Sequence, residues 1–178
     1  MTRKELAKTI FNASYLRGEF KLRSGSISKE YFDKYQFESY PKILQAIAKH
    51  MIPMIPPGTE AFAGLELGGV PIATALSLET GIPICFVRKK PKDYGTCRFA
   101  EGVDVRGKKI CIIEDVITTG GQVVASTEDL RRLGADISDV ICVIYRGDHP
   151  WGPKLEEKKI KMTALFNMDE LKETLLNP

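Results

Sequence analysis

The sequence predicts an α/β fold: a single domain over residues 1–178, with a mostly parallel central sheet flanked by helices. Three observations carry this expectation. Short apolar runs alternate along the chain with segments of helical periodicity. Runs such as Ala61–Leu65 and Ile110–Ile113 are apolar throughout, as strands buried on both faces are. At 178 residues, with 43% hydrophobic and 28% charged side chains, the chain is long enough for one sizeable core, and no repeat or second-domain boundary is visible.

Thr2-Arg3-Lys4-Glu5 has capping-box spacing, and Leu6, Ile10 and Ala13 then fall on one helical face. After Ser39, the residues Ile43, Leu44, Ile47, Ala48 and Met51 mark a second helix, ended by Pro53-Met54-Ile55-Pro56-Pro57-Gly58. Ala61–Leu65 reads as a strand, Gly68-Gly69 as a turn, and Pro71–Thr80 as a helix stopped by Gly81. Pro83–Val87 is the next strand. A polar, basic stretch runs from Arg88 to about Lys109, and connections of that length tend to serve function. Ile110–Ile113 is a strand, Gly121–Leu133 a helix closed by Gly134, and Val140–Tyr145 another strand. Thr163–Phe166 is the last strand, ahead of a short helix at Asp169–Leu176.

The formal net charge of +3 is too small to argue for a nucleic-acid partner, and none is expected. Met1-Thr2-Arg3-Lys4-Glu5 has no apolar segment behind its basic residues, and no apolar run approaches a membrane span. The expected location is cytoplasmic, with no membrane partner. Cys85, Cys97, Cys111 and Cys142 stand far apart with no CxxC pair. Three of them lie in apolar strand-like runs, where a thiol acts as a small core side chain.

The most informative segment is Ile110-Cys111-Ile112-Ile113-Glu114-Asp115-Val116-Ile117-Thr118-Thr119-Gly120-Gly121-Gln122. Four apolar residues bury a strand and deliver two carboxylates to its carboxyl end, the edge where open α/β sheets bind ligands. Thr118, Thr119, Gly120 and Gly121 then turn into a helix. Free N–H groups at a helix start, beside hydroxyls and without bulky side chains, hold a phosphate well. The carboxylates would repel that phosphate unless they face something else, such as ribose hydroxyls or magnesium. The chemistry predicts a ligand with a phosphate and a diol together.

This string resembles the phosphoribosyl-diphosphate motif of the type I phosphoribosyltransferases, with Cys111 and Gln122 as marginal departures. Three further segments are similar to those of the orotate phosphoribosyltransferases, so that the resemblance covers about Phe20 to Arg146. The first is Phe20–Asp33, resembling that family's small N-terminal hood segment: Arg23 matches the basic residue near the diphosphate, and Tyr31 and Phe32 match the aromatic pair beside the pyrimidine. The bland alternative for the two aromatics is that they are core residues. The second is Val87–Thr96, resembling the mobile catalytic loop, where Arg88, Lys89 and Lys92 match cationic positions and Tyr94 replaces a frequent histidine. Such a run would otherwise be a solvated surface. The third is Ile144-Tyr145-Arg146-Gly147-Asp148, where Arg146 matches the partner of the orotate carboxylate rather than a plain surface arginine. In Gly64–Pro71, Gly68 stands where some members carry lysine.

The resemblance implies transfer of a 5-phosphoribosyl group from phosphoribosyl diphosphate to orotate, giving orotidine 5′-phosphate and diphosphate in pyrimidine (UMP) biosynthesis. It implies that Arg23, Arg88, Lys89, Lys92, Tyr94 and the run Glu114, Asp115, Val116, Ile117, Thr118, Thr119, Gly120, Gly121 and Gln122 bind the diphosphate substrate. Tyr31, Phe32, Thr118 and Arg146 would bind orotate, and Lys92 and Asp115 would carry catalysis. Magnesium is the implied cofactor. No direct protein ligand is expected for it, since it rides on the substrate and reaches Glu114 or Asp115 through water. A homodimer with shared active sites is implied as well. Two alternatives stay open: a phosphoribosyltransferase for purines, which would not need Arg146 or the Tyr31-Phe32 segment, and a non-catalytic regulator that binds phosphoribosyl diphosphate.

Overall fold

The computed structural model describes residues 1–22, 24–90, 99–147 and 153–174. Helix α1 (Arg3–Ser14) starts at Thr2, whose hydroxyl accepts the Glu5 N–H at 3.3 Å while Glu5 Oε2 accepts the Thr2 N–H at 2.7 Å. This reciprocal capping box is the one its spacing foretold. Leu6, Ile10 and Phe11 are buried behind it. An antiparallel hairpin follows, β1 (Tyr15–Lys21) and β2 (Ile27–Phe32), which forms a two-stranded sheet of its own. Next come the short helix α2 (Lys34–Ser39) and helix α3 (Pro41–Met51), which opens on a proline, a residue suited to the first helical turn.

The main sheet holds β3 (Ala61–Leu65), β4 (Ile84–Val87), β5 (Ala100–Gly102), β6 (Lys109–Ile117), β7 (Asp136–Tyr145) and β8 (Lys161–Asn167). Their spatial order is β5-β4-β3-β6-β7-β8, parallel except where β5 joins β4. Helices α4 (Gly69–Thr80), α5 (Gly121–Arg132), α6 (Pro153–Glu157) and α7 (Met168–Glu173) complete the chain. Alternation along β6 divides the core between the two faces of the sheet. Cys111 and Ile113 pack with Ile47 of α3 and Ile72 and Leu76 of α4. Ile110 and Ile112 pack with Val123 and Leu130 of α5. Burial of each such side chain contributes roughly 1.5–3 kcal/mol, and these two layers fix where β6 ends.

Several expectations need correction. The strand expected at Ile110–Ile113 runs on to Ile117, because β7 continues to pair with it after β3 has stopped at the Gly64–Ile113 register. Glu114 and Asp115 therefore lie within the strand rather than past its end, on a step where β6 and β7 outrun β3. Helix α4 begins at Gly69 instead of Pro71. The polar stretch after Arg88 contains β5, an antiparallel edge strand. The β1–β2 hairpin, α2 and α6 were not foreseen. Cys85, Cys111 and Cys142 are buried and free, and burial pushes the Cys85 and Cys111 thiols up to about 12, as inert core groups. Cys97 lies outside the described residues. No described helix is long and apolar enough to cross a membrane.

Candidate active site

The turn after β6 is shaped to receive an anion. Thr118 and Thr119 are exposed, and Gly120 is the N-cap of α5 with a left-handed φ of 71°. No side chain caps the helix, so the first N–H groups of α5, beginning at Gly121 and Gln122, remain available in its positive first turn. Gly120 is required there on two counts. Its φ disfavours any side chain, and a Cβ would approach Leu155 Cγ to 3.1 Å. The Gln122 amide donates to Ser126 Oγ along the helix at 3.1 Å, so its side chain is turned away from the helix start. At the other side of the turn, the carbonyl of the buried Ile117 accepts the N–H of Arg146 at 2.8 Å.

The acidic pair splits between the faces of β6. Glu114 is half-buried and registers with Cys142 of β7. Asp115, expected beside the ribose, has no exposed surface in this structure. Its Oδ1 accepts the Val116 N–H at 2.5 Å, and its Oδ2 lies 2.6 Å from Lys34 Nζ. Lys34 and Glu38 both come from α2. Burial alone would raise Asp115, but the contacts from Glu38 and Lys34 hold it below the usual aspartate range. Burial also works against the charge of Lys34, yet the Asp115 contact leaves its ammonium above its ordinary value. Glu38 is pushed up to about 9, by burial first and by Asp115 second. Glu114 is pushed up to about 9 by the same two causes. Burial thus favours the neutral form of Glu38 and Glu114 and leaves Asp115 as the anion paired with Lys34.

Above the cluster runs the loop after β3. A Cβ built on Gly68 would stand 1.7 Å from Asp115 Oδ2, so glycine is demanded there by space. The Glu66–Leu67 peptide in this loop is cis. Glu66 Oε1 accepts the backbone N–H of Lys89 at 2.6 Å and ties the loop to the first residues beyond β4. Arg88 is half-buried there, its N–H donating to Phe99 O at 3.0 Å, while Lys89 is exposed. The cationic stretch therefore starts beside the β3 loop, with β3 between it and the phosphate turn. Arg23, Lys92 and Tyr94 lie outside the described residues.

The hairpin and the end of β7 enclose a cavity of about 120 Å³ lined by Tyr31, Phe32 and Arg146, with Phe11, Glu30 and Lys172 among the other walls. The aromatic pair divides its work. Phe32 packs against Phe11 and Phe37, with ring centroids 6.3 and 6.4 Å away, whereas Tyr31 stacks on Phe20 at 5.4 Å and stays 44% exposed. Two larger grooves, between α3 and α4 and between α1 and α7, lie away from these residues. Size alone does not select the site. The structure thus brings together Tyr31, Phe32 and Arg146, and separately Glu114, Asp115 and the phosphate turn. Sequence reasoning missed Lys34, Glu38 and Lys172. None of them belongs to a motif, and only the fold carries α2 and α7 to the site.

Residues 36–170 match the phosphoribosyl transferase domain family. The chain is 52% identical over 148 residues to an orotate phosphoribosyltransferase of Nocardioides sp., covering 82% of this chain and 83% of that one. It is 39% identical over 173 residues to the orotate phosphoribosyltransferase of Pyrococcus horikoshii, covering 94% and 91%. Among solved structures, the orotate phosphoribosyltransferase of Mycobacterium tuberculosis H37Rv superposes with a TM-score of 0.84 at 26% identity, covering 95% and 98%.

Proposed function

The chain belongs to the orotate phosphoribosyltransferases, and from that premise we propose that it transfers the 5-phosphoribosyl group of phosphoribosyl diphosphate to orotate, giving orotidine 5′-phosphate and diphosphate. One observation carries the assignment to these residues. Tyr31, Phe32 and Arg146 line one cavity, and the arginine is bonded through its backbone to the last residue before the phosphate turn. A flat acceptor bearing a carboxylate fits aromatic walls and a guanidinium fork. A purine has no carboxylate for that fork.

In this reaction the bond from the anomeric carbon to the diphosphate oxygen breaks, and its electron pair leaves with the diphosphate. A ring nitrogen of orotate bonds to that carbon and gives up its proton to water or to the departing diphosphate. No protein nucleophile is required. The residues have to hold the 5′-phosphate, order the sugar hydroxyls and place positive charge where the leaving group gathers negative charge. The Thr118–Gln122 turn anchors the phosphate. Glu114 faces the hydroxyls, with Asp115 behind it. Arg23, Arg88, Lys89, Lys92 and Tyr94 attend the diphosphate, and a loop closing over it would exclude water as a rival acceptor.

Magnesium enters as part of the substrate. Among the described residues no group of three or more His, Cys, Asp or Glu side chains is placed to hold a metal, and Asp115 already has Lys34. The phosphate oxygens are the hard donors that fit the ion, which when bound offsets the charge of the departing diphosphate. A homodimer with shared sites completes the reading. The test is incubation with phosphoribosyl diphosphate, magnesium and a panel of bases, with detection of the nucleotide. Product from orotate alone is expected; product from a purine instead, or from no base, would refute the assignment.

A further inference from the structure

Helix α2 is six residues long, too short to be stable on its own hydrogen bonds, and is pinned by the fully buried Phe37. That anchor turns Lys34 and Glu38, four residues apart on one helical face, toward the same point on β6. The Lys34 ammonium is 2.6 Å from Asp115 Oδ2, and the Asp115 side chain is 0% exposed. A Cβ on Gly68 would lie 1.7 Å from Asp115 Oδ2 and 3.0 Å from Glu38 Oε1, so both carboxyls fill the space beneath the β3 loop. Glu38 Oε1 is buried with no hydrogen-bond partner, and Asp115 Oδ2 has the Lys34 charge but no well-directed hydrogen bond. Two acceptors facing each other require a proton between them, and the remaining anion requires a cation. Among the described residues, Lys34 is the cation at Asp115. The Asp115 N–H also donates to Glu114 Oε2 at 3.2 Å, so the orientation of one carboxyl bears on the other.

We propose that Lys34, assisted by Glu38, is a positioning residue for the sugar-binding strand: it holds Asp115 inward beneath Gly68 and so leaves the carboxyl group of Glu114 as the one presented to the ribose. Without Lys34, a buried carboxylate loses the one cation that the described residues place against it, and it must take up a proton or turn outward against Glu114. The consequence falls first on the diphosphate substrate, because Lys34 and Glu38 reach β6 and the space beneath the β3 loop, whereas the contact of α2 with the acceptor cavity runs through Phe37 on Phe32, which the variants below leave in place. This inference rests on the proposed reaction.

The test compares full-length wild type with Lys34→Met, Lys34→Arg, Asp115→Asn and the double variant Lys34→Met/Asp115→Asn. Lys34→Met is expected to raise KM for phosphoribosyl diphosphate about tenfold, to leave KM for orotate within about twofold, and to be largely rescued by Lys34→Arg. In the Asp115→Asn background, Lys34→Met should add less than about twofold, because the charge it serves has gone. Equal rises in both KM values, wild-type kinetics for Lys34→Met, or losses that multiply in the double variant would overturn the proposal. If Lys34→Met does not fold, the double variant, which carries no unpaired charge, gives the comparison with Asp115→Asn. Calorimetric binding of magnesium phosphoribosyl diphosphate reads the inference without turnover. Wild type inactive on orotate would sink the proposed reaction, whereas unchanged binding in the variants would sink this inference.

Discussion

Ile117 and Arg146 are joined by a backbone hydrogen bond of 2.8 Å that links the end of β6 to the first residue after β7. The residue leading into the phosphate turn and the cation of the acceptor cavity are thus fixed relative to each other by main chain. The spacing of the two proposed substrate sites is thus set by sheet geometry, and side-chain substitutions at Arg146 leave that backbone bond intact.

Arg146→Ala is accordingly expected to raise KM for orotate by roughly 30-fold, near the 2 kcal/mol of a lost charge-assisted hydrogen bond, while KM for phosphoribosyl diphosphate stays put. Steady-state kinetics with each substrate varied in turn measures this. A parallel rise in both constants would show that Arg146 supports the turn and not the acceptor.

Gly68→Ala places a methyl group against Asp115 Oδ2. Either the β3 loop lifts or the ion pair with Lys34 opens. Overpacking of this kind costs about 1–3 kcal/mol, and weaker binding of phosphoribosyl diphosphate should accompany a lower melting temperature. An unaltered melting curve and unaltered binding would mean that the loop yields freely.

Lys92→Ala should lose most turnover while orotate affinity changes little, because the role proposed for its charge is confined to the departing diphosphate. Mixing Lys92→Ala and Arg146→Ala chains tests the shared site. If the loop reaches the neighbouring subunit, half of the dimers are mixed and each regains one intact site, so at orotate well below the wild-type KM, where Arg146→Ala sites are nearly silent, about a quarter of wild-type activity returns. No recovery after subunit exchange would refute sharing.

The carboxyl cluster also predicts a pH dependence of stability. Glu38 and Glu114, pushed up to about 9 in the folded chain, stay protonated where the unfolded chain has already released those protons. As pH rises from about 5 to 9, the unfolded state therefore binds fewer protons and the folded state loses stability. Asp115, held low, acts with the opposite sign, but only below the ordinary aspartate range. The raised Lys34 stabilises the fold until pH approaches its ordinary value of 10.5. The melting temperature of the unliganded protein should drop by about 2 °C or more across that window, and Glu38→Gln should flatten the drop. A rise in melting temperature with pH would contradict the charge assignment.

The main sheet was legible in the sequence because its strands are buried on both faces. Ala61–Leu65 is apolar at every position and was delimited to the residue. The hairpin was not, since β1 is mostly exposed and shows no alternation of buried and exposed residues, and β5 is three residues of Ala-Glu-Gly. The strand bearing the acidic pair was cut short because carboxylates look like a strand's end, whereas Lys34 and Glu38 provide the partners that let Asp115 sit inside it. Composition along the chain holds no trace of that pairing. It arises when α2 docks on the step between β3 and β6. The phosphate turn needed no such help, because its hydroxyls, glycines and helix start are consecutive in the chain.

The β1–β2 hairpin shares no hydrogen-bond ladder with the six-stranded sheet, and it lies before the residues, 36–170, that match the general family. The aromatic wall of the proposed acceptor cavity therefore comes from a piece of chain outside the matched residues, while Arg146 and the proposed phosphate turn lie within them. Exchange of the first thirty-odd residues would reshape the aromatic wall and leave Arg146, the strand and the turn at Glu114–Gln122 unedited.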